Sequence, residues 1–187
     1  VPLVFVVHPS LKANTLAEFI ALAKSKPGQI SIASSGNGSP QHLAAEMFMR
    51  TVGVQLIHVP YKGSGPAMND LIGGQVQSMI ETAPSAQSQI KAGKIRALAA
   101  TTRERIPTLL EVPTVAEAGL AGFEVSSMFG LAAPAGTPVA IINKINAALK
   151  VILSQQDTKD SMLGQGVIAM YTTPAEASST LTKELAK

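Results

Sequence analysis

The sequence predicts an α/β fold: one lobe built on a largely parallel sheet, followed by a mostly helical tail. Three observations lead there. Strand-like and helix-like segments alternate from Val1 to Thr101 in units of roughly 20 to 30 residues, the size that a crossover between parallel strands requires. Apolar residues make up 46% of the 187 residues and charged residues only 14%, so the chain can bury a sizeable core. Beyond Thr102 the alternation stops and long amphipathic helices dominate.

The elements follow in order. "VPLVFVVHP" is an apolar, β-branched run that reads as a buried strand. "TLAEFIALAKSKPG" places Leu16, Phe19, Ile20 and Ala23 at helical spacing and ends on Lys, Pro and Gly. "QISIAS" is a second strand, and "SPQHLAAEMFMRTVG" is a helix closed by Gly53. "VQLIHVP" is a third strand, and "GPAMNDLIGG" a short helix. "QVQSMIET" and "KIRALAAT" are strands flanking the helix "PSAQSQIKAG". "RERIPTLLEVPTVAEAG" is irregular and carries Thr114 and Glu117 at capping-box spacing. "FEVSSMFGLAAPAG" is extended. "TPVAIINKINAALKVILSQ" is the longest helix, with Thr137 expected as N-cap and Pro138 at N1. "TPAEASSTLTKELAK" begins in the same way with Thr173, Pro174 and Glu176.

Composition removes several function classes. The fifteen Lys and Arg are scattered, the net charge is +3, and only two Tyr, five Phe and no Trp accompany them, so a basic stacking surface for nucleic acid is not expected. The absence of Cys excludes disulfides, thiolate metal sites and a Cys nucleophile. No apolar stretch reaches the roughly 20 residues that span a bilayer, so no direct membrane insertion is expected. The start has no basic region followed by an apolar core, which fits a trimmed exported protein or a cytosolic one.

Two strand-to-helix junctions carry the chemistry. In "SSGNGSPQHLAAEMF" the expected N-cap is Ser39, with Pro40, Gln41 and His42 following at N1 to N3. The first amides of a helix lack intrahelical partners, and the macrodipole adds about half a positive charge there. Gly36 and Gly38 leave the approach free of side chains, while Ser34, Ser35, Asn37 and Ser39 add short hydrogen-bonding groups. In "VPYKGSGPAMNDLI" the pattern recurs: Gly63 and Gly65 flank Ser64, Pro66 begins the helix, and Tyr61 and Lys62 end the strand. Ordinary capped loops are the plain alternative. Both junctions fall at carboxyl ends of strands, where open parallel sheets place ligands. Neither matches GxGxxG or GxxxxGK[ST], so nucleotide binding is weakly supported, and a small carboxylate suits a site without an arginine clamp.

His42 sits at the mouth of the first junction, with a ligand role and a local capping role equally open; His58 and His8 read as satisfied histidines at sheet ends. The three are not spaced as metal ligands. There is no GxSxG elbow, and Asp70 and Glu81 near the sheet end nominate no nucleophile and base. Anion-holding geometry without a reactive group favours a binder over an enzyme.

Together, "SSGNGSPQHLAAEMF", "HVPYKGSGPAMNDLIGGQV", "IKAGKIRALAATTRERIPTLLEVPTVAEAGLAGFEV" and "GLAAPAGTPVAIINKINAAL" resemble the Bug or TctC family of extracytoplasmic solute receptors. The resemblance runs in order over nearly the whole chain. It implies a type II periplasmic-binding-protein fold whose two α/β lobes close on a small carboxylated solute, with loop amides, hydroxyls and waters holding the carboxylates. It implies periplasmic localisation, membrane permease subunits of a tripartite tricarboxylate transporter as partners, and no cofactor or metal. Carried onto this chain, the ligand contacts are Ser35, Gly36, Asn37, Gly38, Ser39 and His42 in one loop, and Tyr61, Lys62, Gly63 and Ser64 in the other. Residues 1–124 then correspond to a complete second lobe, and residues 125–187 to the returning helical part of the first. A segment that family members carry before this point is absent, so an exposed apolar face on the tail is expected. An enzyme acting on a small anion, and the sensing domain of a regulator, are the rival expectations.

Overall fold

The computed structural model describes residues 1–185 and divides into two units, Val1–Met128 and Phe129–Lys187. The last two residues of the expected final helix, 186 and 187, lie outside the described residues.

The first unit holds a five-stranded sheet of β1 (Leu3–Val7), β2 (Ser31–Ser34), β3 (Ile57–Pro60), β4 (Ser78–Thr82) and β5 (Arg96–Ala100). Four helices alternate with them: α1 (Leu16–Ser25), α2 (Pro40–Val52), α3 (Ser64–Ile72) and α4 (Ala83–Lys91). The strand order is β3-β2-β4-β1-β5. β2 runs parallel to β3 and to β4, as the crossover lengths require.

β1 departs from the parallel expectation: it pairs antiparallel with both β4 and β5. Crossover length fixes direction only between strands joined by the crossover and lying side by side. β1 instead sits between strands that come some seventy residues and more after it, and its buried run "LVFVV" suits either direction. Its side chains divide the core. Leu3, Phe5 and Val7 face a layer with Phe19 of α1, Phe48 of α2 and Phe123. Val4 and Val6 face the opposite layer with Met68 and Leu71 of α3, Ala83 and Ala86 of α4, and Ile106, Leu109 and Val112. Phe5 meets Phe19 edge-on at 4.7 Å and Phe48 at 4.9 Å between ring centroids, which locks α1 and α2 to the same face.

The irregular segment after β5 is held by the expected capping box: Thr114 N–H donates to Glu117 Oε2 at 2.7 Å and Glu117 N–H to Thr114 Oγ1 at 3.1 Å. The extended stretch that follows returns to the sheet, where Val125 N–H bonds Thr101 O and Ser127 N–H bonds Val1 O.

The second unit contains α5 (Val139–Ser154), α6 (Gln156–Gly164) and α7 (Pro174–Leu185). Thr137 is not the N-cap of α5: Pro138 holds that position, and the Thr137 hydroxyl turns back to donate to Pro134 O at 2.8 Å. α6 is not signalled in the sequence, being weakly amphipathic and set off from α5 only by the extended Gln155. Thr173 and Glu176 do form the expected box at the start of α7. No residue of α5 is buried, and Val139, Ile141, Ile145, Val151 and Ile152 are all exposed. The described residues thus leave the apolar side chains of α5 uncovered.

Candidate functional site

The first junction is built by β2 ending at Ser34 and α2 beginning after the cap Ser39. Ser39 Oγ accepts the His42 N–H at 3.2 Å, so the sequence-expected cap forms and Pro40 occupies N1. Gly36 and Gly38 have φ of 139° and 74°, in the region that side chains other than glycine's disfavour. Within the loop, Gly38 N–H donates to His42 Nδ1 at 3.0 Å and Gly36 N–H to Ser34 Oγ at 3.2 Å. Two of the amides that the glycines expose are therefore occupied by the protein's own side chains. His42 is a loop-holding residue in this geometry, its ring stacked on His58 at 4.0 Å with Nε2 3.7 Å from Glu46.

The second junction follows β3. Its helix α3 starts at Ser64, two residues before the expected Pro66, with Gly63 as an N-cap that supplies no side-chain bond. Because β2 and β3 are adjacent and parallel, the two junctions lie side by side on one sheet edge. They are bonded to each other: Tyr61 N–H donates to Ser34 O and Gly63 N–H to Ser35 O, both at 3.0 Å. The amides of Asn37, Gln41, Ser64 and Gly65 have no protein acceptor among the described residues. All ten sequence-nominated residues thus fall in one contiguous pair of loops, with Asn37, Gly38 and Lys62 the most exposed. Among the described residues no charged side chain contacts Lys62 in an ion pair, which leaves it available for long-range attraction.

Beneath the loops lies a polar network that the sequence did not reveal. Gln41 is buried and its amide bridges three elements: Ser35 Oγ donates to Oε1 at 2.9 Å, while Nε2 donates to Glu81 Oε1 at 3.1 Å and to Ser64 Oγ at 3.4 Å. Glu81, fully buried at the end of β4, also accepts the Thr82 N–H at 2.6 Å through the same oxygen. The acid in the apolar strand "SMIET" was the available signal, but its partner stands forty positions away in sequence.

Two groups near the loops titrate away from their ordinary values. Burial pushes the His58 pKa down, the neighbouring His42 adds to this, and Glu46 opposes it. His58 Nε2 lies 2.7 Å from Ser34 Oγ, in keeping with a satisfied sheet-end histidine. Burial and the hydrogen bond to Asp70 Oδ2, at 2.7 Å, push Tyr61 up to about 12. Lysine and loop amides are thus accompanied by a neutral phenol at neutral pH.

Two surface depressions, of about 380 and 700 Å³, lie elsewhere, lined by residues such as Ile95, Arg96 and Glu111, and Gly28, Gly53 and Val54. They open near the amino-terminal ends of β5 and β3, opposite the two junctions. Among the described residues no cluster of three His, Asp or Glu side chains could hold a metal ion. No described helix is long and apolar enough to cross a membrane.

Comparison with known proteins shows the family. The family described as tripartite tricarboxylate transporter family receptor, TctC, matches residues 1–187. BugT of Bordetella pertussis is 36% identical over 185 residues, 99% of this chain and 57% of its own length. The R. palustris protein Rpa4515, solved with adipate, superposes with a TM-score of 0.96 at 34% identity, covering 100% of this chain and 62% of that one. MatC of Rhodopseudomonas palustris, solved with bound malate, gives 0.90 at 31% identity, over 98% and 63% respectively. The chain spans about half the length of the curated relatives it matches.

Proposed function

Since the chain belongs to the tripartite tricarboxylate transporter receptor family, we propose that it is the larger part of an extracytoplasmic receptor. That receptor captures a small carboxylated metabolite between two lobes and delivers it to the membrane permease subunits of a tripartite tricarboxylate-type transporter. The observation that carries this role is the pair of glycine-lined helix starts bonded side by side, with four amides lacking protein acceptors. Amides and hydroxyls of this kind stabilise a carboxylate without a salt bridge. The site is formed by Ser35, Gly36, Asn37, Gly38, Ser39, His42, Tyr61, Lys62, Gly63 and Ser64. Ser35, Asn37, Lys62 and Ser64 touch the ligand, and His42 acts by holding Gly38.

In this proposal residues 1–124 form the complete second lobe and residues 125–187 the returning part of the first. The exposed apolar residues of α5 support that assignment, because the described residues leave them uncovered. Ligand contacts made from both lobes favour the closed state, which the permease then recognises in the periplasm. The adipate and malate in the two neighbouring structures define the chemical class of ligand to test.

The test is a thermal-shift screen of the complete receptor against small organic acids, including adipate and malate, with the ligand recovered afterwards. A binder at one hundred times its Kd stabilises the folded state by about 2.7 kcal/mol and leaves the acid unchanged. No stabilisation by any carboxylate, or chemical conversion of the acid, would overturn the receptor role.

A further inference from the structure

The structure assigns to Gln41 and Glu81 a positioning role that we infer from the direction of their hydrogen bonds: they commit the Ser35 hydroxyl to accept from a ligand and the Ser64 hydroxyl to donate to one. This rests on the receptor role proposed above and specifies which groups of the ligand each loop recognises.

The direction starts at Glu81 Oε1. That oxygen already takes the Thr82 N–H at 2.6 Å, so it is an acceptor, and the end of Gln41 facing it must be the amide nitrogen. The orientation of Gln41 is thereby fixed. Its Oε1 faces Ser35, whose hydroxyl commits its single hydrogen inward at 2.9 Å. Only the lone pairs of Ser35 remain for a guest. The second hydrogen of Gln41 Nε2 goes to Ser64 Oγ at 3.4 Å and occupies a lone pair there. The Ser64 hydrogen has no acceptor among the described residues and stays free for an anion.

Burial keeps the network from reversing. Gln41 is 6% exposed and Glu81 0%, and the second Glu81 oxygen, Oε2, is buried without a partner among the described residues. Turning the Gln41 amide would set its oxygen against Glu81 Oε1 and leave that carboxyl group with the Thr82 N–H alone, a costly arrangement away from water. The two junctions are consequently not equivalent. A carboxylate finds its hydroxyl donor at Ser64, beside the free amides of Ser64 and Gly65, while a hydroxyl, ammonium or protonated carboxyl group of the same ligand finds its acceptor at Ser35.

The test is calorimetric titration of the complete receptor with adipate and malate, comparing wild type, Ser64→Ala, Glu81→Met and the double variant. Ser64→Ala is expected to weaken binding about tenfold or more, the loss of one hydrogen bond to a charged group. Glu81→Met frees the Gln41 amide to turn and take the Ser64 hydrogen, which weakens binding about fivefold, within the coupling range of contacting residues. In the double variant the two losses must not multiply, since the loss from turning Gln41 runs through the Ser64 hydroxyl; at Ser35 the turn leaves a lone pair open and only frees a hydrogen. Glu81→Met binding as well as wild type or more tightly overturns the inference. So do losses that multiply, or a Ser64→Ala variant that binds like wild type. Should Glu81→Met fail to fold, Gln41→Met takes its place: it removes the amide without turning it and leaves the Ser64 hydrogen free, so it must weaken binding less than Ser64→Ala, and an equal or larger loss overturns the inference. A wild-type receptor that binds no carboxylate overturns the receptor role itself, and this assignment with it; wild-type binding unaffected by Ser64→Ala overturns the assignment alone.

Discussion

Replacing Gly36 with Ala perturbs the contact on which the pairing of the two loops depends. An added Cβ would lie 3.2 Å from the Tyr61 carbonyl oxygen, a backbone atom that cannot swing aside like a side chain. The backbone there has φ of 139°, where an L-residue is strained by about 1–3 kcal/mol. Displacing the Tyr61 peptide also disturbs the Gly63-to-Ser35 bond, so a total cost of about 2–4 kcal/mol is expected. For a protein of this size each kcal/mol lowers the melting midpoint by about 2–4 °C, giving a drop of roughly 5–15 °C. Gly38→Ala is the internal control. Its φ of 74° carries the left-handed penalty of about 1–2 kcal/mol, but nothing lies within 4 Å of the added carbon. Thermal melts followed by far-UV circular dichroism compare the two. Gly36→Ala melting at or above Gly38→Ala would refute the close approach of the loops.

Other consequences follow from the core and the titrating groups. Phe48 is 1% exposed and packs on Phe5, Phe19 and Phe123, so Phe48→Ala should cost about 3–5 kcal/mol in urea unfolding, and a loss under 1 kcal/mol would contradict the packing. His58 has a folded pKa below its ordinary 6.5, so the unfolded chain binds the proton more readily and stability falls as pH drops below 6.5. Urea midpoints of wild type should fall more than those of His58→Gln between neutral and mildly acidic pH; parallel curves would count against that environment. Tyr61 should ionise near 12 by tyrosinate absorbance, with its share of stability intact below pH 10 and lost as pH rises toward 12. Asp70→Asn should bring that ionisation down, and an unmoved curve would deny the hydrogen bond.

Much of this molecule is written in local sequence. Ser39 capping α2, Thr114 with Glu117, and Thr173 with Glu176 are contacts over three residues, and each formed as its spacing requires. The placement of the two loops at one edge also follows locally, because adjacent parallel strands bring their carboxyl ends together. What escaped were features decided by distant partners. The antiparallel direction of β1 is set by β4 and β5, which come much later in the chain. Thr137 had the right type for a cap, yet the tight turn from Pro134 claimed its hydroxyl. The bridge from Gln41 to Glu81 joins residues on different elements, so neither position alone signalled it. His42 was legible as a residue at the mouth of the site, and the bond from Gly38 shows its holding role.

The central claim is that the unpartnered amides of two adjoining helix starts receive a carboxylate. Amide chemical-shift mapping of the ¹⁵N-labelled complete receptor during titration with adipate and malate tests it most directly. The expected result is that Asn37, Gln41, Ser64 and Gly65 shift together and saturate with a single Kd, while amides of α1 on the core face stay in place. Saturable binding that leaves those four amides unmoved would contradict the account.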